Sequence, residues 1–422
     1  MGSRDWTQKN GSFRLKCQAV RVEFRLTTAG LKSLPGPIAG KEIRLAPPAL
    51  WPARLPWSLP VIAALLVLLG WLGIARSEEL AGGDGRFARQ QAIWAILAAT
   101  AMVLAAAPSY RLLCRWSYGL FAGAIAMLAL VFFFPTVHGT HRWIRLAGVS
   151  LQPSEFAKVA FVLALARYLM YRDNFRRFRG LAMPLAIALV PLVLILREPD
   201  LGTALVFLPV LFIMLFAAGA RNVDLAKLAL CGLACLPLLW TQMSREQRSR
   251  VTALAEQTAP GQTPTDDGYH LHQAKQLLAM GGVRGSLWAG EPVDDPAAYR
   301  LPEDHTDFIF TVIGERFGWL GGGAVLGLVV LLSWRGLAIA EATQEPFGRL
   351  VAVGVVALFA VQSLINTAMT VGLLPITGLS LPLVSYGGSG LVAHSAALGL
   401  LLNIALRPGY EVAGEPFRWK RE

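Results

Sequence analysis

Ten apolar runs, each about long enough to cross a hydrocarbon core of roughly 30 Å, limit what this chain can fold into. They lie near 58–75, 88–107, 116–134, 154–171, 181–197, 201–219, 223–240, 308–333, 349–373 and 384–405. A bilayer offers no water to backbone amides, so such runs cross as helices that satisfy their own hydrogen bonds. Composition agrees: 55% of residues are hydrophobic, 16% are charged and the mean hydropathy is +0.50. These values exclude an ordinary soluble domain. The expected fold class is an all-α polytopic membrane protein of about ten transmembrane helices.

The formal net charge of +12 would suggest nucleic acid as partner of a soluble protein. Here Lys and Arg fall between the apolar runs and in the tails, which is a pattern of membrane orientation. Residues 1–56 carry ten Lys or Arg and no apolar core fit for a signal peptide. They read as a basic, largely disordered cytoplasmic tail close to anionic lipid. Residues 407–422 form a second basic tail. Arg172, Arg176, Arg177 and Arg179 crowd one inner loop, and Trp334–Phe347 forms another, whereas Arg76, Arg86 and Arg89 fall in the first outer loop. The consistent topology has both termini cytoplasmic, around a transmembrane domain at 57–406.

One long outer loop, about 241–306, joins the seventh and eighth runs. Loops of that length are usually functional or disordered. Ser244 to Asp267 reads as polar and mobile, Tyr269 to Leu278 as an amphipathic helix, and Gly281 to Gly285 as a turn or a phosphate cradle. Where the loop meets the eighth run stands Leu301-Pro302-Glu303-Asp304-His305-Thr306-Asp307-Phe308-Ile309-Phe310. Ionisable groups at a membrane boundary are costly to hold and mark functional sites. The plainer reading is that Thr306 or Asp307 caps the following helix.

Three further polar clusters interrupt the apolar pattern. His141 to Arg145 leads into Gln152-Pro153-Ser154-Glu155 and Lys158, where Pro153 suits a helix start and Glu155 suits its positive end. Lys158 opposes that dipole and needs an anionic partner. Arg197-Glu198-Pro199-Asp200 is a tight outer connection whose Asp200 can serve as a plain cap. Asn366 to Gly390 holds so much Gly and Pro at membrane depth that its backbone must be buried in protein or line a cavity. In this topology all these clusters share the outer side with Asp307. Cations beside carboxylates, above an apolar body, suit a substrate with an anionic head and a lipid tail, such as a diphosphate-linked lipid.

Arg142-Trp143, Gln152-Pro153-Ser154-Glu155 with Lys158, Pro199-Asp200-Leu201-Gly202-Thr203, His305-Thr306-Asp307-Phe308-Ile309-Phe310 and Leu381-Pro382 with Ser385-Tyr386-Gly387-Gly388-Ser389 resemble the SEDS family. That family comprises the RodA, FtsW and SpoVE proteins of bacterial elongation, division and sporulation. The resemblance runs from about Phe87 to Leu406, and the Leu374-Pro375-Ile376-Thr377-Gly378 stretch looks nearer to the RodA branch. Glu315-Arg316 stands where many members have two acids.

The resemblance implies a peptidoglycan glycosyltransferase of the bacterial cytoplasmic membrane. It would polymerise lipid II on the extracytoplasmic face beside a class B penicillin-binding protein. Asp307 is then the expected general base. Arg142, Trp143, Arg145, Glu155, Lys158, Asp200, His305 and Ser385 are the expected substrate-binding residues. The departing diphosphate needs cations, from Lys158, Arg142 and Arg145 or from a divalent ion such as Mg or Mn. A lipid II flippase, or a scaffold that recruits a transpeptidase, shares the intramembrane charges and broken helices.

Overall fold

The structure is a computed structural model that describes residues 8–9, 12–13, 56–136, 141–146, 149–170, 178–256, 267–290, 293, 299 and 301–407. The chain divides into two units, Met1–Trp51 and Pro52–Glu422. In the first, β1 (Gln8–Lys9) pairs antiparallel with β2 (Ser12–Phe13). The rest of the expected N-terminal tail, nearly all of the C-terminal one and the Arg172–Arg177 loop lie outside the described residues.

In the second unit every apolar run becomes a helix. They are α1 (Ser58–Leu80), α2 (Arg86–Ala106), α3 (Tyr110–Leu130), α4 (Pro153–Met170) and α5 (Ala182–Arg197). After these come α6 (Leu201–Ala217) and α7 (Asn222–Gln242). The outer loop carries α8 (Arg245–Glu256), α9 (Asp267–Gly281) and α10 (Ser286–Ala289). The chain then closes with α11 (Ile309–Ala342), α12 (Pro346–Thr370) and α13 (Gly388–Leu406). Seven of these helices are long and apolar enough to cross a membrane, and α5 and α6 are shorter apolar helices.

Local chemistry sets the helix ends. The Ser109 hydroxyl accepts from the Leu112 amide to start α3, and Glu345 accepts from the Gly348 amide to start α12, whose first residue is Pro346. Burial of Glu345 raises its carboxyl pKa, against those amide bonds. Around the bundle, α12 forms the centre and packs on α4, α6, α11 and α13, while α2 lies along α13 and α1 along α11. Outward faces are apolar, as at Ile96, Leu104, Leu230 and Val330, each more than 60% exposed. In water such surface would be a liability, and in lipid it is the solvated side.

Three expectations change. Ser244 to Glu256 is not a loose polar stretch but α8, whose Ser244 hydroxyl accepts from the Gln247 amide while the Gln247 side chain accepts from the Ser244 amide. Arg76 does not sit in an outer loop, because α1 continues to Leu80 and buries it. α11 runs past residue 333, so most of Trp334–Phe347 is helix. A short antiparallel hairpin, β3 (Ile144–Leu146) with β4 (Val149–Leu151), also precedes α4.

The glycines of the outer loop explain how it docks. α11 bends at Gly318, which has φ +64°, and a Cβ there would stand 2.4 Å from the Val283 carbonyl. A Cβ on Gly285, also at positive φ, would stand 2.4 Å from the Arg316 carbonyl. Close backbone approach therefore accounts for Gly285 and Gly318.

Candidate active site

The segment entering α11 is wound tightly before the helix begins. The amides of Thr306, Asp307 and Phe308 all donate to the Glu303 carbonyl, at 3.2, 3.1 and 3.4 Å. Phe308 is the N-cap and no side chain caps the helix. Neither Thr306 nor Asp307 plays the capping part.

Three braces from the end of the chain hold this turn. Asn366 on α12 donates to the carbonyls of Asp307 at 2.8 Å and Leu379 at 2.6 Å. Ser385 donates to the Thr306 carbonyl at 2.6 Å and accepts from the Leu381 amide at 2.7 Å. The Tyr386 amide donates to the His305 carbonyl at 2.9 Å. These bonds satisfy the backbone on both sides of Asp307 and leave its side chain to the cavity beyond.

That cavity holds about 470 Å³ and lies among the Asp307 turn, β3–β4, α8 and the 378–391 segment. Asp307, Glu303, Arg142, Trp143, Arg145, Arg250, Glu155 and Ser385 are on its wall, with Trp94 and His394. Glu303 and Leu383, both on the wall, have φ of +53° and +65°. Such backbone persists where surrounding structure enforces it, commonly at functional sites.

Asp307 is half-buried, and its carboxyl pKa is pushed up to about 7. Loss of hydration is the first cause, followed by the neighbouring charge of Glu303; Asp200 adds to it, while Arg250 and Arg142 oppose it. A carboxylate tuned near neutrality is suited to taking a proton.

The other expected residues divide between wall and frame. Arg142 donates through Nε to the Glu198 carbonyl at 3.1 Å and through Nη2 to the Pro199 carbonyl. Its guanidinium thus ties the α5–α6 corner to the segment leading into β3. Inside that corner the Glu198 carboxyl is fully buried, and its pKa is pushed up to about 9 by burial and then by Asp200, against Arg142. Arg145 on β3 is exposed and Trp143 is half-buried, both on the wall.

Lys158 has the anionic partner that its position demanded. It donates to Glu155 at 2.9 Å and to the Gln362 side chain at 2.6 Å, is 2% exposed, and lies behind the wall. His394 Nε2 stands 3.7 Å from the other Glu155 oxygen. Asp200 caps α6, accepting from the Thr203 amide at 3.1 Å and hydroxyl at 2.8 Å, and is 1% exposed. Its plainer reading is the one the geometry favours. The His305 ring stacks on Phe87 at 4.5 Å and bonds Asp304 at 3.1 Å, off the cavity wall.

The family described as "Cell cycle protein", that of FtsW, RodA and SpoVE, matches residues 55–408. The chain belongs to this SEDS family. Among similar proteins, the peptidoglycan glycosyltransferase MrdB of Escherichia coli is 35% identical over 83% of this chain and 92% of its own. Stage V sporulation protein E of Bacillus subtilis is 33% identical over 82% of this chain and 96% of its own. A solved structure described as showing "structural coordination of polymerization and crosslinking by a peptidoglycan synthase complex" aligns with TM-score 0.70 at 31% identity, covering 84% of this chain and 98% of that one. The RodA of Thermus thermophilus aligns with TM-score 0.62 at 29% identity, covering 84% and 98%. An FtsW of Trichlorobacter lovleyi is 36% identical over 76% of this chain and 83% of its own, so identity does not single out one branch.

This SEDS chain is an all-α polytopic membrane protein, and its fold brings in residues that the motifs do not name. Gln362 and His394 hold the Glu155–Lys158 pair from α12 and α13. Their polarity inside apolar runs was a usable signal. Arg250 arrives on α8, in a stretch whose composition resembles any solvated loop. Glu315 pairs with Arg76 across 239 positions, a link that no local pattern reveals.

Proposed function

We propose that this chain is a peptidoglycan glycosyltransferase that extends glycan strands from lipid II during cell-wall synthesis, with Asp307 as general base. The observation that carries the reading is the Asp307 carboxyl, tuned to about 7, on the wall of a cavity it shares with Arg142, Arg145 and Arg250. Asp307 takes the proton from the acceptor GlcNAc 4-hydroxyl as that oxygen bonds to the anomeric carbon of the α-linked donor. The bond from that carbon to the diphosphate oxygen breaks, and its electron pair leaves with the lipid diphosphate. Attack opposite the leaving group inverts the centre and gives the β-1,4 link. General-base help is worth about 10²–10⁴-fold, and cations facing the diphosphate supply the larger electrostatic share.

We infer ten spans with both termini cytoplasmic; in that topology the cavity opens on the outer face of the cytoplasmic membrane, where a class B penicillin-binding protein crosslinks the product. A divalent ion fits only as a shared one. Among the described residues no three His, Cys, Asp or Glu side chains gather around a point. Mg²⁺ is commonly held by one or two carboxylates together with substrate phosphates, and Glu155 on the wall would supply one such carboxylate. Such an ion would neutralise diphosphate charge.

Purified protein given labelled lipid II in detergent tests the reading. Glycan strands longer than the starting disaccharide are expected. Lipid II moved across vesicle membranes without polymer would make the protein a carrier, and no change in either assay would leave a scaffold.

A further inference from the structure

Accepting the glycosyltransferase reading, we propose that Arg250, carried into the cavity by the outer-loop helix α8, is a substrate-binding residue that grips the donor diphosphate. It lies beside Gly378. A Cβ built on that glycine would lie 3.4 Å from Arg250 Nη1 and 3.4 Å from Asp307 Oδ2. The guanidinium and the carboxylate are therefore at most twice that distance apart, on one wall of the cavity. Gly378 has φ +66°, a backbone conformation that favours glycine.

The other cations of this region are placed differently. Lys158 lies behind the wall, bound to Glu155 and Gln362. Arg142 directs Nε and Nη2 at the carbonyls of the α5–α6 corner. Arg145 is on the wall but exposed. Arg250 is the half-buried guanidinium that shares Asp307's immediate surroundings. In an inverting transfer the base and the leaving oxygen stand on opposite faces of one sugar carbon, separated by little more than the acceptor oxygen and that carbon. A long guanidinium side chain beside the base therefore still lies within reach of the diphosphate oxygens. A guanidinium fork also suits phosphate oxygens better than an ammonium does.

Binding and turnover together test this in the full-length protein. In an Asp307→Asn background, adding Arg250→Gln is expected to weaken binding of labelled lipid II about tenfold or more, while Arg250→Lys keeps part of it. With Asp307 intact, Arg250→Gln should raise KM for the donor and shift the acid limb of the pH profile upward. The groups facing Asp307 are Glu303 from its own turn, Asp200 from the α5–α6 corner, Arg142 from the segment before β3, and Arg250 from α8. Removing Arg250 leaves Arg142 as the cation against two carboxylates. Unchanged lipid II binding in the double variant, with a melting temperature equal to that of Asp307→Asn, would overturn the assignment. The binding arm reads Arg250 even if the wild type makes no polymer, so failure of the reading and failure of the assignment remain distinct.

Discussion

Asp307 and Glu315 are acids on one approach to the bilayer, and their surroundings give them opposite tasks. Asp307 faces a cavity with its backbone held from both sides. Glu315 is wholly buried in α11 and takes two hydrogen bonds from Arg76, at 3.0 and 3.2 Å. The first acid of the Glu315-Arg316 pair is thus a strut between α1 and α11, whatever many relatives place beside it. Removing one partner of a buried pair strands the other charge, which costs about 3–5 kcal/mol. Glu79 also reaches Arg76, at 3.2 Å, so Glu315→Gln should fall near the lower end. A lower melting temperature of the detergent-solubilised protein is the expected result, and an unchanged one would deny the strut. The motifs marked Asp307, Glu155 and Lys158, but not that Lys158 lies behind Glu155 or that Ser385 is a brace. Those depend on partners 204 and 79 positions away.

Among the helices, glycine decides how near neighbours come. A Cβ on Gly399 of α13 would stand 2.2 Å from the Met102 carbonyl of α2, and one on Gly202 of α6 would stand 2.4 Å from that of Thr377. Without a hydrophobic drive between helices in lipid, such close backbone contact supplies much of the attraction. Gly399→Val should force α2 and α13 apart and cost about 1–3 kcal/mol, read as a lower melting temperature. A variant that melts with the wild type would show that the two helices yield freely. Apolar length made the helices of the bundle legible, because every run had to find its hydrogen bonds internally. α8 was not legible, since its polar residues carry no apolar stripe of a kind that marks a helix. The far end of α11 was missed because its charged residues resemble a loop.

At the scale of the whole molecule, an apolar bundle centred on α12 carries a polar cavity bounded by broken backbone and an outer-loop helix. The family could be read from five ordered motifs, but the cavity could not, because its wall joins residues from β3 to α13 that only packing assembles. One charge relation governs its chemistry. Burial makes Asp307 hold its proton more tightly folded than unfolded, so ionisation between the ordinary carboxylate range and about 7 lowers stability as pH rises. On the proposed mechanism the same shift sets the activity. At pH 6 about a tenth of the Asp307 carboxyl is ionised, and well above 7 nearly all of it is. The most direct test is the pH dependence of lipid II polymerisation by the wild type and by Asp307→Asn. The wild type should lose activity below an apparent pKa near 7, and the Asn variant should be slower by about 10² or more at every pH. Near-normal polymerisation by Asp307→Asn, with the same acid limb, would contradict the account.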